Sequence, residues 1–180
     1  MSKGYIWLVQ LINFILYISL QIAIVQHILP FYKPTCFVYI GFFLFLPWKR
    51  SNLILQLLLG FLVGFLVDLF YDSLGVHAFA AVLLIYLRNF LLYMLPPYAA
   101  NGNEYASRPT LVNMGFKKFA TYGLILLLVY HLVVLSLNSV SIALFFNALP
   151  QLILNVLLSY LLIFSLQLTL ILTVGNTYTK

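Results

Sequence analysis

Asp68 and Asp72 stand four residues apart in GFLVGFLVDLFYDSLGVH, residues 60–77, and with Glu104 they are the only acidic residues of the chain. Two carboxylates at that spacing lie near one helical face. They could hold a divalent cation, relay protons with a nearby imidazole, or anchor a hydrogen-bonded contact between helices. His77 follows on the same hairpin, His131 lies on a later apolar segment, and Arg88 is a lone cation inside an apolar run. Insertion scales put a central Asp or Arg at roughly 2.5–3.5 kcal/mol in hydrocarbon, so such residues face a bundle interior and find a partner.

Metal chemistry needs more oxygen ligands than this chain supplies. Gly64-x3-Asp68-x3-Asp72 matches the second half of the acidic motif of membrane CDP-alcohol phosphatidyltransferases, whose paired metals need four carboxylates. No other Asp or Glu lies in an apolar segment, so the first half is missing. The protease and hydrolase signatures HExxH and GxSxG are absent. A proton-coupled transporter could use Asp68 with His77 and His131, but no pair of interrupted helices recurs in two halves of the chain. The residues therefore point to a protein that is not an enzyme and needs neither metal nor cofactor.

The elements that must position these residues are membrane helices. Of 180 residues 64% are hydrophobic and 7% charged, with a mean hydropathy of +1.10, against about 25% charged in soluble domains. The net charge of +6 does not indicate nucleic acid, because the basic residues are scattered and no aromatic-basic surface accompanies them. They read as topology determinants and contacts for anionic lipid headgroups. Cys36, the single cysteine, has no disulfide partner within the chain and reads as a small apolar residue. The N-terminal apolar run is too long for a signal peptide and lacks a small-x-small cleavage site, so it reads as a retained first helix.

Crossing ~30 Å of hydrocarbon takes about 20 helical residues. The expected all-α architecture is one membrane domain over 1–180, with spans at 5–28, 35–48, 52–72, 76–95, 117–137 and 150–174. The second is short and crosses only if steep or if the bilayer thins. With six spans and both termini cytoplasmic, Lys3, Lys49, Arg50, Arg108, Lys117, Lys118 and Lys180 fall inside and only Lys33 outside. Omitting the short span would put Lys49 and Arg50 outside. Ser73-Leu74-Gly75 joins spans three and four in a tight outer turn. Residues 96–116 form a long cytoplasmic connection in which Thr110 can open a short helix. Residues 138–147 are expected along the outer interface, with Pro150 opening the last span.

Within span three, Gly60, Gly64 and Asp68 share a face, since steps of four advance 400°. Two glycines so spaced admit another backbone closely, either internal or from a partner. Asp68 lies about 8 Å below the turn, opposite Ala78, Ala80 and Ala81, and is expected in a polar cluster with His77 and His131. Asp72 is expected to be wet. Arg88 is expected to snorkel to cytoplasmic headgroups.

The run KPTCFVYIGFFLFLP through WKRSNLILQLLLGFLVGFLVDLFYDSLGVHAFAAVLLIYLRNFLL resembles the bacterial rod shape-determining MreD family. The matching pattern is a short second span, a basic turn, a G-x3-G-x3-D helix (Gly60, Gly64, Asp68), and L-G-x-H-A (Leu74, Gly75, His77, Ala78) opening the next helix. PTLVNMGFKKFATYGLILLLVYH, 109–131, looks like the branch with a longer cytoplasmic loop. The resemblance is best over 34–131 and fades in the last span. It implies an inner-membrane component of the cell-elongation machinery, tied to the single-span MreC and through it to MreB filaments. Such a component would work beside RodA and a penicillin-binding transpeptidase in peptidoglycan synthesis. The family's fold resembles the six-helix substrate-binding S-components of energy-coupling-factor transporters, which supplies an alternative function as a small-molecule-binding subunit. S-components carry small residues along an early helix for docking, and span one has only Ala23, which favours the scaffold.

Overall fold

The computed structural model describes residues 11–21, 36–46, 52–97 and 109–178, with side chains up to Leu168 in the last stretch. Among these residues the secondary structure is entirely helical. The helices are α1 (Leu11–Gln21), α2 (Ile40–Leu44), α3 (Leu53–Tyr71), α4 (Val76–Met94), α5 (Leu111–Asn138) and α6 (Ile142–Tyr178). Four of them, α3 to α6, are long and apolar enough to cross a membrane. Their outward faces carry Leu58, Phe61, Leu69, Phe70, Leu128 and Leu161. Apolar residues on both the inner and outer sides of a helix suit a lipid surround rather than water. The chain is thus compatible with a helical membrane protein. The ends of the expected first and second spans, most of the 96–116 connection and six of the basic residues used for sidedness lie outside the described residues.

Helices α3 and α4 pair most extensively, followed by α5 with α6 and α4 with α5. Asp72 closes α3 in a left-handed conformation (φ 50°), and Gly75 precedes α4 with φ 81°. That second dihedral favours glycine, which lacks the Cβ that clashes there. The pairing is close because of Gly64. A Cβ built there would lie 2.6 Å from both the Ala78 Cα and the His77 carbonyl oxygen, which are backbone atoms. At Gly60 a Cβ would run into the terminal methyl of Ile85. The glycine face is therefore filled by α4 of the same chain, and the alternative of a partner's helix on this face does not hold.

Three elements differ from expectation. In the described part of the second segment only Ile40–Leu44 is helical, about 7 Å at 1.5 Å per residue, so the helix alone does not span the hydrocarbon. Residues 36–45 are nonetheless all buried, forming the aromatic centre of the core. Phe37, Val38, Tyr39 and Ile40 are β-branched or aromatic and weak helix formers. Helix α5 starts earlier than residue 117: the Thr110 hydroxyl accepts from the Asn113 amide at 3.3 Å. This opening turn is set off by a non-helical Gly115 (φ 72°, ψ 159°). Helix α6 begins at Ile142 rather than Pro150, and 142–149 runs without a break into the rest of the helix. Ser141 starts it, its carbonyl accepting from Phe145 at 3.1 Å and its hydroxyl from Leu144 at 3.3 Å. Pro150 therefore sits in the helix interior, where it lacks the N–H that would bond to Phe146 and its ring crowds the Phe146 carbonyl.

The glycine contacts make an ordered prediction. Gly64→Ala must displace backbone, whereas at Gly60→Ala a flexible side-chain end can move. Overpacking costs about 1–3 kcal/mol, and Gly64→Ala should lie at the upper end. Thermal unfolding in detergent should show a larger drop for Gly64→Ala than for Gly60→Ala; equal drops would refute the close backbone approach.

Candidate polar site in the bundle interior

Asp68, on the last turn but one of α3, is buried and pointed at the start of α4. Its Oδ1 accepts from the His77 amide at 2.9 Å and the Ser73 hydroxyl at 2.6 Å. Its Oδ2 accepts from the Ala78 amide at 2.9 Å. His77 and Ala78 occupy the second and third positions of α4, whose first amides have no partner within the helix. The carboxylate thus caps α4 from the preceding helix, with its charge at the positive end of the helix dipole. Its partners are two backbone amides and the Ser73 hydroxyl, not an imidazole. Both oxygens are committed to N–H or O–H donors, which is the opposite of what a metal ligand offers. Asp72 is exposed at the turn, so the structure places the two carboxylates in different surroundings. Among the described residues no group of three His, Cys, Asp or Glu side chains converges as a metal site.

The expected cluster of Asp68 with His77 and His131 is divided into separate networks. The His77 Nδ1 is 2.8 Å from the Tyr130 hydroxyl, which bonds in turn to the Tyr39 hydroxyl. The His131 Nδ1 lies 2.9 Å from the Leu127 carbonyl. That carbonyl only accepts, so Nδ1 carries the proton, and Nε2 lies 3.2 Å from the Ser159 hydroxyl, which donates to the Cys36 thiol at 3.3 Å. Phe37 stands between the networks, its ring centroid 4.7 Å from that of His77 and 5.5 Å from that of His131.

The non-helical residues 36–39 are held by two side chains. Gln21 accepts at Oε1 from the amides of Val38 (2.6 Å) and Tyr39 (3.2 Å). Its Nε2 donates to the Cys36 carbonyl at 3.0 Å and to the Tyr71 hydroxyl at 3.2 Å. From α6, Ser159 accepts from the Phe37 amide at 3.2 Å. Neither Gln21 nor Ser159 stood out in the sequence. The signal that could have found them is a single amide or hydroxyl side chain within a long apolar run.

Arg88 does not snorkel. It is fully buried, with Nη1 donating to Gln56 Oε1 at 3.3 Å and Nη2 donating to the Leu46 carbonyl. Asn89 donates to the same Gln56 oxygen at 3.2 Å, and the Tyr122 hydroxyl donates to the Leu44 carbonyl at 2.9 Å. The guanidinium and the phenol therefore satisfy the carbonyl end of α2. The physical reason for the departure is that the last carbonyls of a helix have no partner within it, and those at and just after the end of α2 are met by side chains of other helices. Gly60, Gly64, Asp68, Gly75 and His77 come together in one hairpin; Asp72 stays exposed at its rim, and Arg88 serves a separate layer.

No family model, curated protein or solved structure matches the chain.

The capping geometry separates charge from shape at position 68. Asn keeps one acceptor oxygen but turns an NH2 donor toward one of the backbone amides, and Leu removes every acceptor. Losing a cap costs about 0.5–2 kcal/mol, and leaving buried donors unpaired adds ~1–3 kcal/mol. Thermal midpoints in detergent should therefore fall in the order wild type, Asp68→Asn, Asp68→Leu. An Asp68→Leu protein as stable as wild type would show that the cap contributes nothing.

Proposed function

We propose that the chain is a non-enzymatic scaffold of the bacterial inner membrane that crosses it six times, with both termini in the cytoplasm. Its role is the one MreD-like proteins fill in the cell-elongation complex. It would bind a single-span MreC-like protein, and through it serve MreB filaments, RodA and a penicillin-binding transpeptidase in peptidoglycan synthesis. Anionic headgroups would be met by its scattered basic residues.

One observation carries the reading. The residues on which the resemblance rests are the residues that lock α3 to α4: Gly64 admits the α4 backbone, Asp68 caps it, and Gly75 makes the turn. A motif wholly spent on holding two helices in register suits a protein that presents a fixed surface to partners. The Asp68 carboxylate in particular is spent on the helix cap, with both its oxygens accepting hydrogen bonds. Because α4 fills the glycine face, an MreC-like helix must meet the lipid-facing side of the bundle.

The test is co-purification. The tagged chain, expressed in its native host and extracted in a mild detergent, should bring down an MreC-like protein and cell-wall synthases. Recovery of an ATPase-bearing transport module instead would favour the S-component alternative. Recovery of neither would sink the scaffold reading.

A further inference from the structure

The bond between His77 and Tyr130 joins α4 of one helix pair directly to α5 of the other. Tyr39 extends it, its hydroxyl bonding to that of Tyr130. All three side chains are buried, so the direction of the protons along this row is set by which groups can donate. Run toward His77, Tyr39 donates to Tyr130 and Tyr130 to Nδ1, and both hydroxyl protons are used. Run the other way, Nδ1 must carry a proton, and the last proton of the row is left on the buried Tyr39 hydroxyl. Among the described residues that hydroxyl bonds to Tyr130, and a buried donor left without an acceptor is costly. The row is therefore stable with Nδ1 as its acceptor.

The surroundings of the ring decide what a proton on it would do. From the segment before α2 comes Tyr39, with Cys36 at its start against Ser159. From α3 come Asp68, Tyr71 and, at the rim, Asp72; from α5 come Tyr130 and His131. Asp68 accepts from the main-chain amide of His77 rather than from its ring, and it also holds the Ser73 hydroxyl and the Ala78 amide. Phe37, Tyr71 and Tyr130 stand around the imidazole with ring centroids 4.7, 5.4 and 6.3 Å away. Aromatic faces and a carboxylate both draw a cation. Taking an ion out of water costs more than they return unless its hydrogen bonds are kept. Here they are not kept. An imidazolium carries a proton on each nitrogen, so Nδ1 no longer accepts from Tyr130 and the whole row must turn.

We propose that His77 is an acid-sensitive latch between the two helix pairs. Uncharged, its Nδ1 accepts the Tyr130 hydroxyl and ties α4 to α5; protonated, it gives up that bond and loosens the bundle beside the α3–α4 turn. The proton comes from water and returns to it, and no covalent bond changes. The latch stands apart from the scaffold reading, since it acts within the fold whatever the bundle binds.

Thermal unfolding of the full chain in detergent tests it across the histidine range, from about pH 8 to about pH 5. The wild-type midpoint should fall by more than ~3 °C on acidification. His77→Asn, whose carboxamide oxygen can accept the same hydroxyl but takes no proton, should lose most of that fall. Tyr130→Phe removes the hydroxyl that must turn; it should narrow the fall as well, and it serves alone where His77→Asn does not fold. NMR of the chain carrying nitrogen-labelled histidine reads the row directly. At about pH 8 one Nδ1 should be unprotonated and should shift in Tyr130→Phe. Three results each overturn the proposal: a wild-type midpoint unmoved by acid, an undiminished fall in the folded variants, or a proton at about pH 8 on the Nδ1 that responds to Tyr130→Phe.

Discussion

A backbone amide or carbonyl carried into hydrocarbon has no water to turn to, and each one left unpaired costs several kcal/mol. This chain takes three sets of such groups into its interior: the first amides of α4, the non-helical residues 36–39, and the carbonyl end of α2. Each set is met by a side chain from another element. Asp68 serves α4, Gln21 and Ser159 serve 36–39, and Arg88 with Tyr122 serves α2. These polar side chains of the interior answer the places where the helical ladder is interrupted.

The two interior charges illustrate why they need not pair with each other. Arg88 is ten to eleven residues along α4 from the amides that Asp68 caps, about 16 Å away. Each charge sits where backbone dipoles favour its sign, the carboxylate at N–H groups and the guanidinium at carbonyls. Hydrogen bonds to a charged group are worth about 1.5–3 kcal/mol, so two or three of them offset an insertion cost of ~2.5–3.5 kcal/mol. Either charge moved elsewhere along α3 or α4 would face intact helical backbone, with no donors or carbonyls to spare.

The same pattern decides which features are legible in the sequence. Gly60, Gly64 and Asp68 were legible because their alignment is a property of one helix, as was the turn at Ser73-Leu74-Gly75. The partner of Asp68 was not, because it is backbone, and a search for a complementary side chain passes over amides. Arg88 was misplaced for a related reason: snorkelling assumes a helix face open to lipid, whereas the carbonyls that hold Arg88 belong to a segment whose irregular shape no periodicity announces. An apolar run of the right composition reads as a helical span whether or not it is helical throughout, and over its described length 36–46 is helical only at Ile40–Leu44. Pro150 misled because a proline reads as a helix start, while the apolar residues before it and the Ser141 cap had already begun α6.

Phe37 shows how these local solutions become one structure. Its amide is bound by Ser159 of α6. Its ring touches Tyr71 of α3, His77 of α4, and Tyr130 and His131 of α5, with centroids between 4.7 and 5.9 Å. The two helix pairs, α3–α4 and α5–α6, thus meet through a single residue of a non-helical segment as well as through the α4–α5 contact. Neither pair can rotate against the other without breaking the Ser159 bond or opening the ring stack. A helical 36–39 would release Gln21 and Ser159, and the tie that they make through this segment would go with them. The irregular segment therefore adds a second tie to the α4–α5 packing and the His77–Tyr130 bond that already join the two hairpins.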